Sequence, residues 1–168
     1  KWAEYLYRHT LRRDESLREL EFPYKYRAGQ KELAVSVYRA LARKRNLFIQ
    51  APTGIGKTLS VVYPSLKSMG NGNGEKLFYL TAKTITRSVA ENCFFLLRER
   101  GMLFTTVTIT AKEKLCPLEK TECNPDVCPY AKGHFDRVND AVYELWTTEE
   151  VYSREVIRAH AEKWHVCP

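Results

Sequence analysis

Eight consecutive residues, Ala51-Pro52-Thr53-Gly54-Ile55-Gly56-Lys57-Thr58, have the make-up of a phosphate cradle. Gly54 and Gly56 can take backbone conformations closed to residues with a Cβ, so successive N–H groups can converge on phosphate oxygens. The loop is expected to follow a strand and open a helix, whose N-terminal dipole adds to the attraction for anions. Thr53, Gly54, Ile55 and Gly56 would form the cradle wall. Lys57 would reach the β- and γ-phosphates of ATP, and the Thr58 hydroxyl would hold Mg2+. These last two are the candidate catalytic residues. The usual string is G-x-x-x-x-G-K-[ST], and Ala51 stands here where that string begins with glycine. Upstream, Gln30 in Tyr26-Arg27-Ala28-Gly29-Gln30 carries an amide able to donate to and accept from an adenine edge.

A second constellation is made of cysteines. Four of the five follow the spacing Cys116-x6-Cys123-x4-Cys128-x38-Cys167, while Cys93 stands apart. Four thiolates are what a [4Fe–4S] cluster or an all-cysteine zinc site requires. Only Cys123 and Cys128 approach the close pairing usual around zinc, and His165 is a spare candidate ligand. Cys167 lies next to the last residue, where fraying would make it the weakest of the four. An odd cysteine count without a charged-then-apolar leader argues against a disulfide framework and for metal or reduced thiols, and the setting is expected to be cytoplasmic or nucleoid-associated.

These groups must be positioned by a framework that the sequence also outlines. Its 168 residues carry a net charge of +7, with the basic excess in the first two-thirds and a local acidic excess in the last. Such a surface can face a polyanion. No apolar run reaches the ~18 residues needed to span a membrane. Helices are expected over 2–20, 29–45, from Lys57 onward, and 84–100. Pro64 should kink or shorten the third, and Gly101 should end the fourth. The fourth has an apolar stripe of Ile85, Val89, Cys93 and Leu97. Strands are expected over 46–50, 76–80 and 103–110. That order describes an α/β fold with a parallel sheet. Two further helices should follow, the first with Phe135, Val138, Val142 and Leu145 inward and the second over about 149–163.

Taken together, the motifs resemble the XPD/DinG family of iron–sulfur superfamily 2 DNA helicases. An A-x-x-G-x-G-K-T loop is similar to the superfamily 2 form, and Gln30 lies where their Q motif would. Leu80-Thr81-Ala82-Lys83-Thr84 resembles their motif Ia. Thr110-Ala111-Lys112-Glu113-Lys114-Leu115-Cys116 resembles the approach to their first cluster ligand, and His165-Val166-Cys167-Pro168 the fourth. The resemblance covers about residues 22–168. It implies a partial RecA-like P-loop domain over 22–110 and a mainly helical iron–sulfur insertion over 111–168; residues 1–21 lie outside it and are expected to form a linker helix. It further implies Cys116, Cys123, Cys128 and Cys167 as ligands of a [4Fe–4S] cluster, with Cys93 a core residue. Thr81 would touch DNA phosphates, with Lys83, Lys112 and Lys114 as neighbours. The implied activity is ATP-dependent 5′–3′ unwinding, with single-stranded DNA and duplex junctions as partners and a second motor domain completing the enzyme. The alternative is a nucleotide-dependent nucleic-acid-binding module with a structural zinc and no motor activity. The 168 residues contain no Asp-Glu-Ala-His-like string to place Mg2+ and water, so the chain is expected to be the N-terminal part of a longer helicase, inactive alone.

Overall fold

The computed structural model describes residues 2–82 and 84–168; the side chains of Thr84 and Ile85 lie outside that description. Four helices build the first part of the chain: α1 (Trp2–Glu19), α2 (Gln30–Ala42), α3 (Lys57–Gly70) and α4 (Thr84–Glu99). The helix α3 is central, with α1, α2 and α4 packed against it. Their shared core consists of Leu17 from α1, Val62, Tyr63 and Leu66 from α3, and Cys93 and Leu97 from α4. Met102 and Phe104 close it from the segment after α4. Gly101, at φ 96°, turns the chain out of α4 as expected. Contrary to expectation, α3 runs unbroken through Pro64. Val62, Tyr63 and Leu66 bury on both sides of the proline, and that packing holds the two halves in one helix.

Gly70, the last residue of α3, lies directly against α1. A Cβ there would lie 2.7 Å from Leu17 Cβ and 2.9 Å from the Asp14 carbonyl oxygen. Alanine favours helix by about 1 kcal/mol over glycine, but a clash with backbone cannot be relieved by a rotamer change. Gly70→Ala is therefore expected to destabilise the chain by ~1–3 kcal/mol, the usual range for overpacking. A lowered thermal midpoint checks this; an unchanged or raised one would show that α1 does not lie on Gly70.

The chain divides into two units, Lys1–Phe104 and Thr105–Pro168. The second begins with β1 (Thr106–Val107), followed by α5 (Lys112–Leu115), α6 (His134–Thr148), β2 (Val151–Tyr152) and α7 (Arg154–Trp164). The strands pair in parallel, Thr106 opposite Val151 and Val107 opposite Tyr152. Ser153 caps α7 by accepting from the Val156 N–H. Ala141 on α6 meets Ala161 on α7, with Val166, Val138 and Trp164 around them. Glu144 binds both Lys163 and the Trp164 indole across the same pair of helices. Those two hydrogen bonds, Lys163 first, hold its carboxyl below the usual range.

Several expectations are corrected here. Among the described residues the sheet has two short strands, not the three longer ones expected. Residues 46–50 and 76–80 form no ladder. Phe48 is 95% exposed and Leu80 88% exposed, because an apolar run becomes a strand only when a neighbour takes up its N–H and C=O groups. The strand expected over 103–110 is confined to Thr106–Val107, and its partner Val151–Tyr152 occupies residues expected to be helical. On α4 the buried positions are Ala90, Cys93 and Leu97, while Val89 is exposed. On α6, Phe135 and Val142 are exposed, while Ala141 is buried with Ala161 of α7 and Val138 packs against them.

Candidate nucleotide-binding loop and cysteine cavity

Residues 51–58 form a turn that enters α3 at Lys57. Gly54 and Gly56 both adopt left-handed backbone, φ 86° and 80°, the conformations that glycine makes accessible. Gly56 is the residue preceding the helix, so the loop is held against a helix N-terminus, where free N–H groups and the dipole favour an anion. The loop opens onto a cleft of about 480 Å3, walled by Gly54, Gly56, Lys57 and Thr58 on one side and by Val89, Asn92 and Leu96 of α4 on the other. That volume lies within the usual range for small-ligand sites.

The sequence-predicted loop residues do not all face this cleft. Lys57 and Thr58 do. The Lys57 ammonium donates to the carbonyl oxygens of Ala51 and Pro52 at 3.0 and 2.8 Å, so it must exchange these neutral acceptors for a phosphate. Thr53 is exposed and Ile55 half-buried, and neither lines the cleft. Gln30 is buried behind the loop. Its Oε1 accepts from the Arg27 N–H at 3.0 Å, and its Nε2 would meet a Cβ on Gly56 at 2.7 Å. In this structure Gln30 braces the loop rather than facing the cleft. Thr81 is exposed, and Lys83 lies outside the described residues.

In the second unit the loop after α5 and the chain's tail bring four thiols together. Cys116, Cys123, Cys128 and Cys167 all line one cavity of about 20 Å3, and all are free. An Asx turn at Asn124, whose side-chain oxygen accepts from the Asp126 N–H, shapes the loop. The Cys128 N–H then donates to the Asn124 carbonyl at 2.7 Å. The neighbouring Cys123 raises the Lys112 ammonium above its ordinary value. Burial, then the neighbouring Cys123, pushes the Cys167 thiol up. Lys114 is exposed on α5.

The tail is tied down rather than frayed. The Arg137 guanidinium donates to the Trp164, Lys132 and His165 carbonyls, and the Cys167 N–H donates to His134 Nδ1 at 3.1 Å. Neither Arg137 nor His134 was marked by sequence spacing, because both act on backbone atoms remote in the chain. The donor set suits a cluster or a zinc ion. Its present shape is closed: among the described residues no three His, Cys, Asp or Glu side chains stand in metal-holding arrangement. The cavity has the room of about one water, so a four-iron cluster requires the 116–128 loop to move outward.

The DEAD/DEAH box helicase profile matches residues 30–138, from the buried glutamine through the phosphate loop into α6. The chain belongs to the DEAD/DEAH box helicase family. Membership implies a RecA-like P-loop architecture, of which the described residues carry a mostly helical portion and a small parallel sheet. It likewise implies ATP and Mg2+ as ligands of a helicase domain. Over 47 residues the chain is 47% identical to a protein named "Probable ATP-dependent helicase MJ0942" from Methanocaldococcus jannaschii; the match covers 27% of this chain and 7% of that protein. No solved structure matches. No helix among the described residues is long and apolar enough to cross a membrane.

Proposed function

We propose that this helicase-family chain is the nucleotide-binding portion of an ATP-dependent DNA helicase of the iron–sulfur kind, whose intact form couples ATP hydrolysis to 5′–3′ unwinding. The observation that carries the reading is the glycine loop at the α3 N-terminus, with Lys57 and Thr58 facing a cleft of ligand size. Lys57 would neutralise the β- and γ-phosphates and Thr58 would hold Mg2+. The chain alone would bind nucleotide and turn it over negligibly, since no acidic string in it can place the water. Thr81, Lys83, Lys112 and Lys114 are the proposed contacts to DNA phosphates, and the rest of a helicase chain, with its second motor domain, the proposed partner.

Cys116, Cys123, Cys128 and Cys167 would hold the [4Fe–4S] cluster. When bound, the cluster supplies four iron–thiolate bonds that tie the 116–128 loop to the tail. The tail is already drawn in by Arg137 and His134, so the protein's own contribution is to present Cys167. A second reading, a structural zinc in a nucleic-acid-binding module, draws on the same four thiols, which line one cavity. Iron and zinc content of anaerobically purified protein separates the two.

DNA binding is tested by anisotropy with a labelled single strand. Phosphate neutralisation releases counterions, so the logarithm of affinity should fall linearly with the logarithm of salt concentration. Affinity independent of salt would contradict a backbone contact made by basic residues.

A further inference from the structure

Arg27 has no part in the reading above, yet it reaches across 27 residues of sequence to the phosphate loop. Its guanidinium Nη1 donates to the Gly54 carbonyl oxygen at 2.7 Å. The same residue is locked to Gln30 twice: the Arg27 N–H donates to Gln30 Oε1, and the Gln30 N–H donates to the Arg27 carbonyl, both at 3.0 Å. Gln30 packs in turn on Gly56, and a Cβ on Gly29 would lie 3.2 Å from Ile55 Cδ1. The turn 27–30 therefore touches three consecutive residues of the loop, Gly54, Ile55 and Gly56.

Of these, Gly54 is the least constrained by packing. It sits at φ 86°, and a Cβ built on it meets nothing within 4 Å, so no steric wall fixes the orientation of its peptide group. The Arg27 bond supplies that constraint. No peptide bond among the described residues is cis, and in a trans peptide the C=O and the following N–H point in opposite directions. Drawing the Gly54 oxygen toward Arg27 therefore turns the Ile55 N–H away from it.

We propose that Arg27 is a positioning residue for the phosphate cradle: by holding the Gly54 oxygen it fixes the orientation of the Gly54–Ile55 peptide and with it the shape of the loop that presents Gly54, Gly56, Lys57 and Thr58 to the cleft. Arg27 itself does not touch the nucleotide. This rests on the nucleotide reading given under Proposed function. It takes the ligand recognised through Arg27 to be a magnesium-bound polyphosphate, whatever base it carries.

The test displaces a fluorescent ADP from the chain with either Mg-ADP or Mg-tripolyphosphate, which has no base or sugar. Arg27→Ala should weaken both competitors by the same factor, about tenfold, the loss of one charge-assisted hydrogen bond, with the thermal midpoint unchanged. Arg27→Lys, which can still donate to the carbonyl, should recover most of the affinity. Equal affinity in wild type and Arg27→Ala would overturn the positioning role while leaving the nucleotide site intact. A loss for ADP with tripolyphosphate unaffected would also overturn it, because Arg27 would then act on base or ribose. If Arg27→Ala does not fold, Arg27→Met against Arg27→Lys decides: methionine keeps the length without a donor and should bind weakly, and equal binding by the two would overturn the proposal. A wild-type chain that binds neither competitor sinks the nucleotide reading and Arg27's role together.

Discussion

Replacing Cys116, Cys123 or Cys128 with serine is expected to remove the iron and the visible absorbance of anaerobically purified protein, while Cys93→Ser retains both. The four proposed ligands line one cavity in the second unit. Cys93 is packed in the other unit against Leu97, Leu66 and Met102, and burial pushes its thiol up to about 11. Loss of the metal should also loosen 105–168 more than 1–104, since the small core of Ala141, Ala161 and Val166 leaves the 116–128 loop unsupported. Iron content, absorbance and hydrogen exchange in each variant check this. If Cys93→Ser loses its iron while one of the other three keeps it fully, the ligand set is wrong.

The parts legible in the sequence were those written in local signals. The helices α1, α2 and α4 lie close to where apolar spacing and the Gly101 stop place them. The turn over 51–58 is legible because its two glycines fall where left-handed backbone is needed just before α3 begins at Lys57. The strands were not, because Asn46–Gln50 has the apolar content of a strand whether or not another strand lies beside it. Val151–Tyr152 was hidden for a related reason: two residues between helices carry no period. On α6 the expected inward positions are only partly met: Val138 packs on the small core and Leu145 is half-buried, while Phe135 and Val142 are exposed and Ala141 takes the buried place. Arg27, Arg137 and His134 escaped because each bonds backbone far away in sequence, and side-chain periodicity says nothing about such contacts.

Lys57→Ala is expected to weaken Mg-ADP binding by ~1.5–3 kcal/mol, the range for a hydrogen bond to a charged partner. The fold should be indifferent to the change, because Lys57 is exposed and bonds two carbonyls of its own loop. Calorimetry with a melting curve for each protein checks both statements. A variant with wild-type affinity would take the phosphate role away from Lys57.

The loop between Ala51 and Thr58 is proposed to hold a nucleotide in the cleft against α4. Calorimetric titration of the 168-residue chain with Mg-ADP tests it most directly. Saturable binding at one site per chain is expected, abolished by excess Mg-tripolyphosphate and weakened by Lys57→Ala. No saturable heat from a folded chain, or binding indifferent to both tripolyphosphate and Lys57→Ala, would contradict it.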